Sequence, residues 1–248
     1  MKKTSVINPE IKMADVIHLD YTLLPVINRF GISLGFGDRT IESLCAKNNI
    51  NLDFFLEILN AFHDPDYFPE ENLKKYPIGL LIDYLKKTHD YYLDVKVPEL
   101  ERLISKLVDT SIGDASRQAL LNEFFADYEK QLTEHIEREE EKVYPYILAL
   151  EKAVHEKDES EETSLRLDQY SINHFTVEHD DVEEKLLDLK NIIIKYLPPP
   201  GDSNLCNTVL FLLFELEKDL NDHSRIEDTI MVPMVEDLEK QYEKISKS

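Results

Sequence analysis

Residues 132–145 read LTEHIEREEEKVYP and residues 220–233 read LNDHSRIEDTIMVP, and these two stretches decide the fold. Aligned with one another, both show the pattern L-x2-H-x3-E-x5-P. In each stretch the His and the Glu are four residues apart, so on an α-helix they stand one above the other on the same face. The repeat therefore predicts two equivalent helices, each presenting an imidazole and a carboxylate to one point.

The two stretches belong to a set of four long segments with helical periodicity. These segments are 79–109, 116–156, 165–196 and 203–245. Apolar residues recur in steps of three or four along the second and fourth segments, and the His and Glu of the motif occupy positions on that apolar face. Four comparable helices with short connections predict an all-α fold with an antiparallel up-down-up-down four-helix bundle.

Two further histidines complete the pattern in the remaining segments. Residues 88–90 read THD and residues 178–180 read EHD, which places His89 and His179 at matching positions. Both share a face with apolar residues, so we expect them to point into the bundle. The predicted inward-pointing set is His89, His135, Glu139, His179, His223 and Glu227.

Bound metal ions explain why six polar side chains would converge inside a bundle. A buried polar group without a partner costs about 1–3 kcal/mol, so six of them would rival the roughly 5–15 kcal/mol stability of a typical protein. Imidazole and carboxylate without thiolate suit iron or manganese. Two histidines for each metal and two shared glutamates leave positions for an oxo bridge and a small ligand such as dioxygen or nitric oxide. The pattern thus predicts a two-metal site.

Other histidines, one further carboxylate and four tyrosines are also considered as metal ligands or as residues around the ligands. The histidines that we expect not to bind metal are His18, His63, His155 and His174. Asp228 competes with Glu227 because H-x4-D also places a carboxylate near the metal, but the repeated H-x3-E spacing favours Glu227. The tyrosines that could either surround the ligands or pack in the core are Tyr84, Tyr92, Tyr128 and Tyr144.

The N-terminal part of the chain is predicted to form a small helical domain. Helices are expected at 13–30, 41–48 and 52–62, with a glycine-containing turn after the first and Thr40 as the N-cap of the second. Three prolines in segment 63–77 indicate a linker. We therefore expect two domains, 1–72 and 73–248.

Composition excludes some classes of partner. With 50 acidic and 28 basic residues, the net charge of −22 would repel nucleic acid and anionic membranes. No segment approaches the roughly 18 apolar residues of a membrane-spanning helix, and we expect a cytoplasmic protein. Cys45 and Cys206 are far apart in sequence, and we expect both to be free thiols.

Four stretches resemble the ligand-bearing helices of the hemerythrin-like HHE cation-binding family, and more closely its iron-sulfur cluster repair branch, the di-iron RIC proteins. The stretches are LIDYLKKTHDYYLDVKVPELERL, HIEREEEKVYPYI, VEHDDVEEKLLDL and HSRIEDTIMVPMV. The resemblance implies a hemerythrin-like bundle that holds two oxo-bridged non-haem iron ions, with manganese as the alternative metal. It also implies repair of iron-sulfur clusters damaged by nitric oxide or oxidative stress, with nitric oxide or dioxygen as ligand and iron-sulfur proteins as partners. It assigns no enzyme class.

Two departures from that family keep other functions open. Oxygen-carrying hemerythrins have H-x3-H on the third helix, whereas here Phe175 precedes His179 by four residues. Residues 29–59 are similar to the short domain that precedes the bundle in the repair branch, but Gly35 and Phe36 stand where that branch has a Cys-Cys pair. A di-iron sensor, carrier or store for dioxygen or nitric oxide is the alternative, and a metal-free interaction bundle is a third hypothesis. Both a monomer and a homodimer stay open.

Overall fold

The computed structural model describes residues 6–64, 66–67, 69–110, 115–155, 171–173, 175, 182–196 and 201–246. Across these residues the regular structure is helical and no strand forms, which confirms the all-α prediction. The chain divides into two compact units, residues 1–87 and residues 88–248. The division falls inside the helix Ile78–Tyr91, downstream of the proline-containing segment.

The first unit is built from short helices. They are α1 (Met13–Leu19), α2 (Leu24–Arg29), α3 (Ile41–Asn48), α4 (Leu52–His63), α5 (Glu70–Leu73) and the larger part of α6 (Ile78–Tyr91). The helix predicted over 13–30 is interrupted at Asp20, whose backbone is extended and whose carboxylate accepts a hydrogen bond from the N–H of Thr22. A 3₁₀ turn, Tyr21–Leu23, follows, so the prediction of one continuous helix is wrong.

Capping side chains set the limits of α3 and α4. The hydroxyl of Thr40 accepts from the N–H of Ser43, as predicted, and the side chain of Asn51 accepts from the N–H of Phe54. In the preceding turn Gly35 has φ 93°, a backbone conformation that favours glycine. The segment predicted as a linker contains the short helix α5, so it is not wholly irregular.

The second unit is made of long helices, each containing one wide turn. Its elements, in order after α6, are π1 (Tyr92–Lys96), α7 (Val97–Thr110), α8 (Ala115–Arg138), π2 (Glu139–Val143), α9 (Tyr144–His155), α10 (Val182–Asn191), π3 (Ile192–Tyr196), α11 (Ser203–Ile226), π4 (Glu227–Met231) and α12 (Val232–Ser246). Much of the predicted third segment, 165–196, lies outside the described residues. The other three segments are helical nearly throughout their predicted lengths.

Each wide turn is followed by a proline in the sequence. The prolines are Pro98, Pro145, Pro198 and Pro233, each six residues after the first residue of its π turn. Proline has no N–H and its ring presses on the carbonyl four residues earlier, so it disturbs a regular helix. In π2 and π4 the residue before the proline donates its N–H to the carbonyl five residues back, from Tyr144 to Glu139 and from Val232 to Glu227. The wider turn accommodates the proline without ending the helix.

The core of the second unit lies between helices that contact one another in pairs. Helix α8 packs against α7 and α10, and α11 also packs against α7 and α10. Buried residues at this core include Leu100, Leu107, Phe125, Leu132 and Leu213. Farther along, α9 packs against α12. In the described part of the chain, no helix has an apolar stretch long enough to cross a membrane.

Candidate metal centre

Four buried side chains converge in the second unit, and they are His89, Glu139, His223 and Glu227. One potential ligand atom from each lies within 4.8 Å of all the others. The Nε2 atoms of His89 and His223 are 3.2 Å apart, and Nε2 of His223 is 3.2 Å from Oε1 of Glu227. Ligand atoms bound to a single cation at about 2.1 Å lie roughly 3–4 Å apart, so this group has the dimensions of a metal site.

The helices place these residues as the repeat predicts. His89 is on α6, and His223 is in the last turn of α11. Glu139 and Glu227 are the first residues of π2 and π4. Each carboxylate therefore stands one helical turn beyond a histidine of its own helix, at the point where the helix widens.

His135 lies beside the same cluster and faces the oxygen of Glu139 that His89 does not face. Its Nε2 is 3.1 Å from Oε1 of Glu139, whereas Nε2 of His89 is 3.2 Å from Oε2. Glu139 thus faces one histidine with each of its oxygens, which is the arrangement of a carboxylate that can bridge two cations. His179, the sixth predicted ligand, lies outside the described residues.

Among the described residues, few groups donate hydrogen bonds to the carboxylates of the cluster. Within the described residues, neither oxygen of Glu139 has a hydrogen-bond partner, and the same is true of Oε2 of Glu227 and Nδ1 of His223. The ring nitrogens near Glu139 are close to its oxygens but are not aligned for hydrogen bonding. Since a buried unsatisfied polar group costs about 1–3 kcal/mol, more when charged, these residues fit a bound cation.

Charges within the cluster shift the pKa values of its members. Burial lowers the pKa of His89, but the carboxylates of Glu139 and Glu140, together with the charge of Glu227, outweigh it and raise that pKa to about 9. The pKa of His135 is also raised, because Glu139 and Glu227 outweigh its burial. Burial raises the pKa of Glu139, yet His135 and His89 outweigh it and hold that pKa well below its usual range. The raised pKa values of His89 and His135 mean that their rings hold protons more tightly than a free imidazole does, and a cation would compete for the same nitrogens.

Glu140 supports His89 from outside the cluster, a role that the sequence reading missed. Nδ1 of His89 is 2.9 Å from Oε1 of Glu140. A histidine that binds metal through one nitrogen commonly donates the other N–H to a carboxylate, which fixes the ring orientation. The only sequence signal for this role is the acidic residue that directly follows Glu139.

Tyr144 is the fifth side chain inside the cluster. Its hydroxyl donates to Oε1 of Glu227 at 3.1 Å and lies 3.4 Å from Nε2 of His89. Its ring is stacked on that of His89, with centroids 5.7 Å apart and planes 10° apart. Burial and the nearby charges of Glu227 and Glu139 raise the pKa of Tyr144 well above its ordinary value.

No protein-family model, curated protein or solved structure matches the chain.

The histidines that were predicted not to bind metal lie elsewhere. His18 and His155 are exposed, and Nδ1 of His63 is 2.9 Å from Oδ2 of Asp20 in the first unit. His174 lies outside the described residues. Of the two competing carboxylates in the fourth segment, Glu227 is fully buried whereas Asp228 is exposed, so the geometry favours Glu227.

The four tyrosines considered in the sequence have different surroundings. Tyr84 stacks on Phe30 within the first unit. Tyr92 approaches His223 edge-on, with ring centroids 5.9 Å apart, and Tyr128 belongs to the core of the second unit. The hydroxyl of Tyr144 is hydrogen-bonded to a residue of the cluster, Glu227.

Proposed function

We propose that the chain is a non-haem di-iron protein of the hemerythrin-like type that helps to repair iron-sulfur clusters damaged by nitric oxide or oxidative stress. The observation that carries the proposal is the buried convergence of His89, Glu139, His223 and Glu227. Nitrogen and carboxylate ligands without thiolate suit iron, and manganese is the alternative metal. When bound, the iron pair supplies redox chemistry and a place for a small ligand such as nitric oxide or dioxygen.

Two iron ions account for the ligand set better than one. The first would be held by His89 and His223, and the second by His135 and His179, with Glu139 and Glu227 shared between them. The position of His135 at the second oxygen of Glu139 supports this division. The protein's contribution is to fix the ligand positions and, by burying the site, to exclude bulk water.

The helix contacts support the proposed bundle. Because α8 and α11 each contact both α7 and α10, the four helices close into a ring of neighbours. We propose that this ring is an antiparallel up-down-up-down four-helix bundle, with the metal site in its interior. The resemblance of the four ligand-bearing stretches to the hemerythrin-like family agrees with this arrangement.

Metal content tests the site itself. Protein purified without added metal, then dialysed, is expected to hold about two irons per chain by element-resolved analysis. A chain that takes up neither iron nor manganese under these conditions would be a metal-free interaction bundle, and the proposal would be wrong. About two manganese ions per chain would support the same two-metal site and would change only the identity of the metal.

The repair function is tested in cells. A strain lacking the protein is exposed to nitric oxide, and the recovery of an iron-sulfur enzyme is followed after protein synthesis is blocked. We expect slow recovery in the deletion strain, rescue by the wild-type chain and no rescue by a Glu139→Ala variant. Recovery at the wild-type rate without the protein rejects the repair function while leaving the metal site intact.

A sensor, carrier or store is the second candidate function. It is favoured by Gly35 and Phe36, which stand where the repair branch has its Cys-Cys pair. Cys45 is buried, and burial raises the pKa of its thiol to about 11, so it is poorly suited to replace that pair. Tight reversible binding of nitric oxide without consumption would support this candidate, whereas catalytic consumption would count against it.

A further inference from the structure

We propose that Tyr144 is a further oxygen ligand of the metal ion held by His89, Glu139, His223 and Glu227. The inference rests on the metal site proposed above. It adds a tyrosine to a predicted ligand set that otherwise contains only histidines and glutamates. It assigns the phenolic oxygen of Tyr144 to direct contact with the cation, rather than to a hydrogen bond alone.

The position of the hydroxyl is that of a ligand atom. It is 3.1 Å from Oε1 of Glu227 and 3.4 Å from Nε2 of His89. These separations match the 3.2 Å between the Nε2 atoms of His89 and His223. A cation that contacts His89 and Glu227 together therefore lies within reach of the tyrosine oxygen.

The wide turn π2 brings Tyr144 to this position. In a regular α-helix a residue five positions after Glu139 would be rotated by about 140° from it and would point away from the site. Here the N–H of Tyr144 bonds to the carbonyl of Glu139, so the widened turn brings Tyr144 back to the face that carries Glu139. The tyrosine is then fully buried and stacked on His89, which leaves its ring little freedom to move.

The second copy of the motif shows that the fold does not require a tyrosine here. Val232 occupies the equivalent place, since its N–H bonds to the carbonyl of Glu227 at the end of π4. Val232 is buried, so an apolar side chain fits the wide turn. The hydroxyl of Tyr144 is therefore an addition to the repeat, placed on one half of the site only.

Coordination would exchange one bond for another without a redox change. The O–H bond of Tyr144 breaks, an oxygen–metal bond forms and the proton passes to solvent. Cations deprotonate coordinating groups that keep their protons in water, as they do for bound thiols and water. The hydrogen bond from Tyr144 to Glu227 is lost in this exchange, and the cation then links the two oxygens.

A visible spectrum tests the assignment, because a phenolate bound to ferric iron gives an intense charge-transfer band with characteristic resonance Raman ring modes. The full chain is loaded with ferrous iron without oxygen, its iron is counted, and the sample is then oxidised. We expect the phenolate band in the wild-type protein and its complete loss in Tyr144→Phe at unchanged iron content. The matched control is Tyr146→Phe, which removes another buried hydroxyl, one bonded to Glu239, and should keep the band.

The outcomes separate this inference from the proposed function. Bound iron without phenolate ring modes in the wild-type protein overturns the assignment of Tyr144 and leaves the di-iron site standing. Retention of the band in Tyr144→Phe also overturns it. A chain that binds no iron overturns both. If Tyr144→Phe fails to fold, which circular dichroism would show, the wild-type Raman spectrum still decides whether any tyrosine binds the iron.

Discussion

Nδ1 of His89 lies 2.9 Å from Oε1 of Glu140, so one carboxylate holds the ring from outside while Nε2 faces the buried cluster. Two consecutive glutamates of π2 thus act on the same histidine from opposite sides. Glu139 is fully buried within the cluster, and Glu140 is partly exposed at its edge. The pair holds the ring of His89 in one orientation.

Removing the outer carboxylate should weaken metal binding without abolishing it. We expect Glu140→Ala to lower metal affinity by about 10–100-fold, the usual effect of losing a carboxylate that orients a metal-bound histidine. Competition with a chelator of known affinity measures the change. Glu141→Ala is the control, because Glu141 is adjacent and exposed. Equal affinity in Glu140→Ala and wild type would show that Glu140 does not orient His89.

Substitutions of the predicted ligands should remove metal in a graded way. Glu139→Ala removes a carboxylate that faces both His89 and His135, so we expect almost complete loss of bound iron. His135→Ala should leave about one iron per chain, because the other four residues of the cluster stay in place. His155→Ala, at the exposed end of α9, should keep both. Iron analysis of the purified variants gives the result, and full occupancy in both ligand variants would refute the assignment.

The pKa of His89 makes the stability of the metal-free protein depend on pH. Folding raises that pKa from 6.5 to about 9, so the folded state binds the proton more tightly than the unfolded state. The resulting stabilisation is fully present below about pH 6.5 and is lost as the pH rises through about 9. Linkage gives at most roughly 3 kcal/mol for this loss. The groups around the ring are Glu139, Glu140, Glu227, His223 and Tyr144.

Urea unfolding of metal-free protein at several pH values measures this dependence. The free energy of unfolding should fall between pH 6.5 and 9.5 in the wild type and in the control His155→Gln. In His89→Gln the fall should be much smaller. A wild-type curve that coincides in shape with that of His89→Gln would contradict the raised pKa.

Replacing Pro145 should lower both the stability of the second unit and its metal affinity. Alanine restores the N–H that proline lacks and favours a regular helix. Regular winding would rotate the buried face of α9 by about 100°, so we expect metal-free Pro145→Ala to be less stable than the wild type. A regular helix would turn Tyr144 away from the cluster, and metal affinity should fall. Thermal unfolding and chelator competition on the same sample report the two effects. Unchanged affinity would mean that π2 forms without its proline.

The sequence predicted the helical fold and the buried positions because both depend on a simple period. His89, His135, Glu139, His223 and Glu227 lie on apolar faces that recur every three or four residues, and all five are buried in the structure. The period of each helix does not depend on its neighbouring helices. Thr40 was also predicted as a cap, since capping depends on residues close in sequence.

The wide turns could not be predicted from a regular helical period. A π turn breaks the period by one residue, so regular helices place Tyr144 off the ligand face and leave it as one of four tyrosines that could surround the ligands or pack in the core. The proline that follows each turn was visible in the repeat, but its effect depends on how the helix responds. Glu140 was missed because its partner, His89, is on another helix. The break at Asp20 was missed because its side chain competes locally with the helix.

Geometrically, each wide turn holds one residue more than the same stretch of regular α-helix would. Losing one residue between Glu139 and Pro145 would convert π2 into an ordinary turn, and the faces of α9 beyond it would keep their orientation. The same deletion within α8 would rotate every later side chain of that helix by about 100° and misplace the cluster. Insertions and deletions in descendants of this chain should therefore occur mainly at the widened turns. At such a turn, one copy of the motif can gain or lose a group such as the tyrosine hydroxyl while the other copy is unchanged.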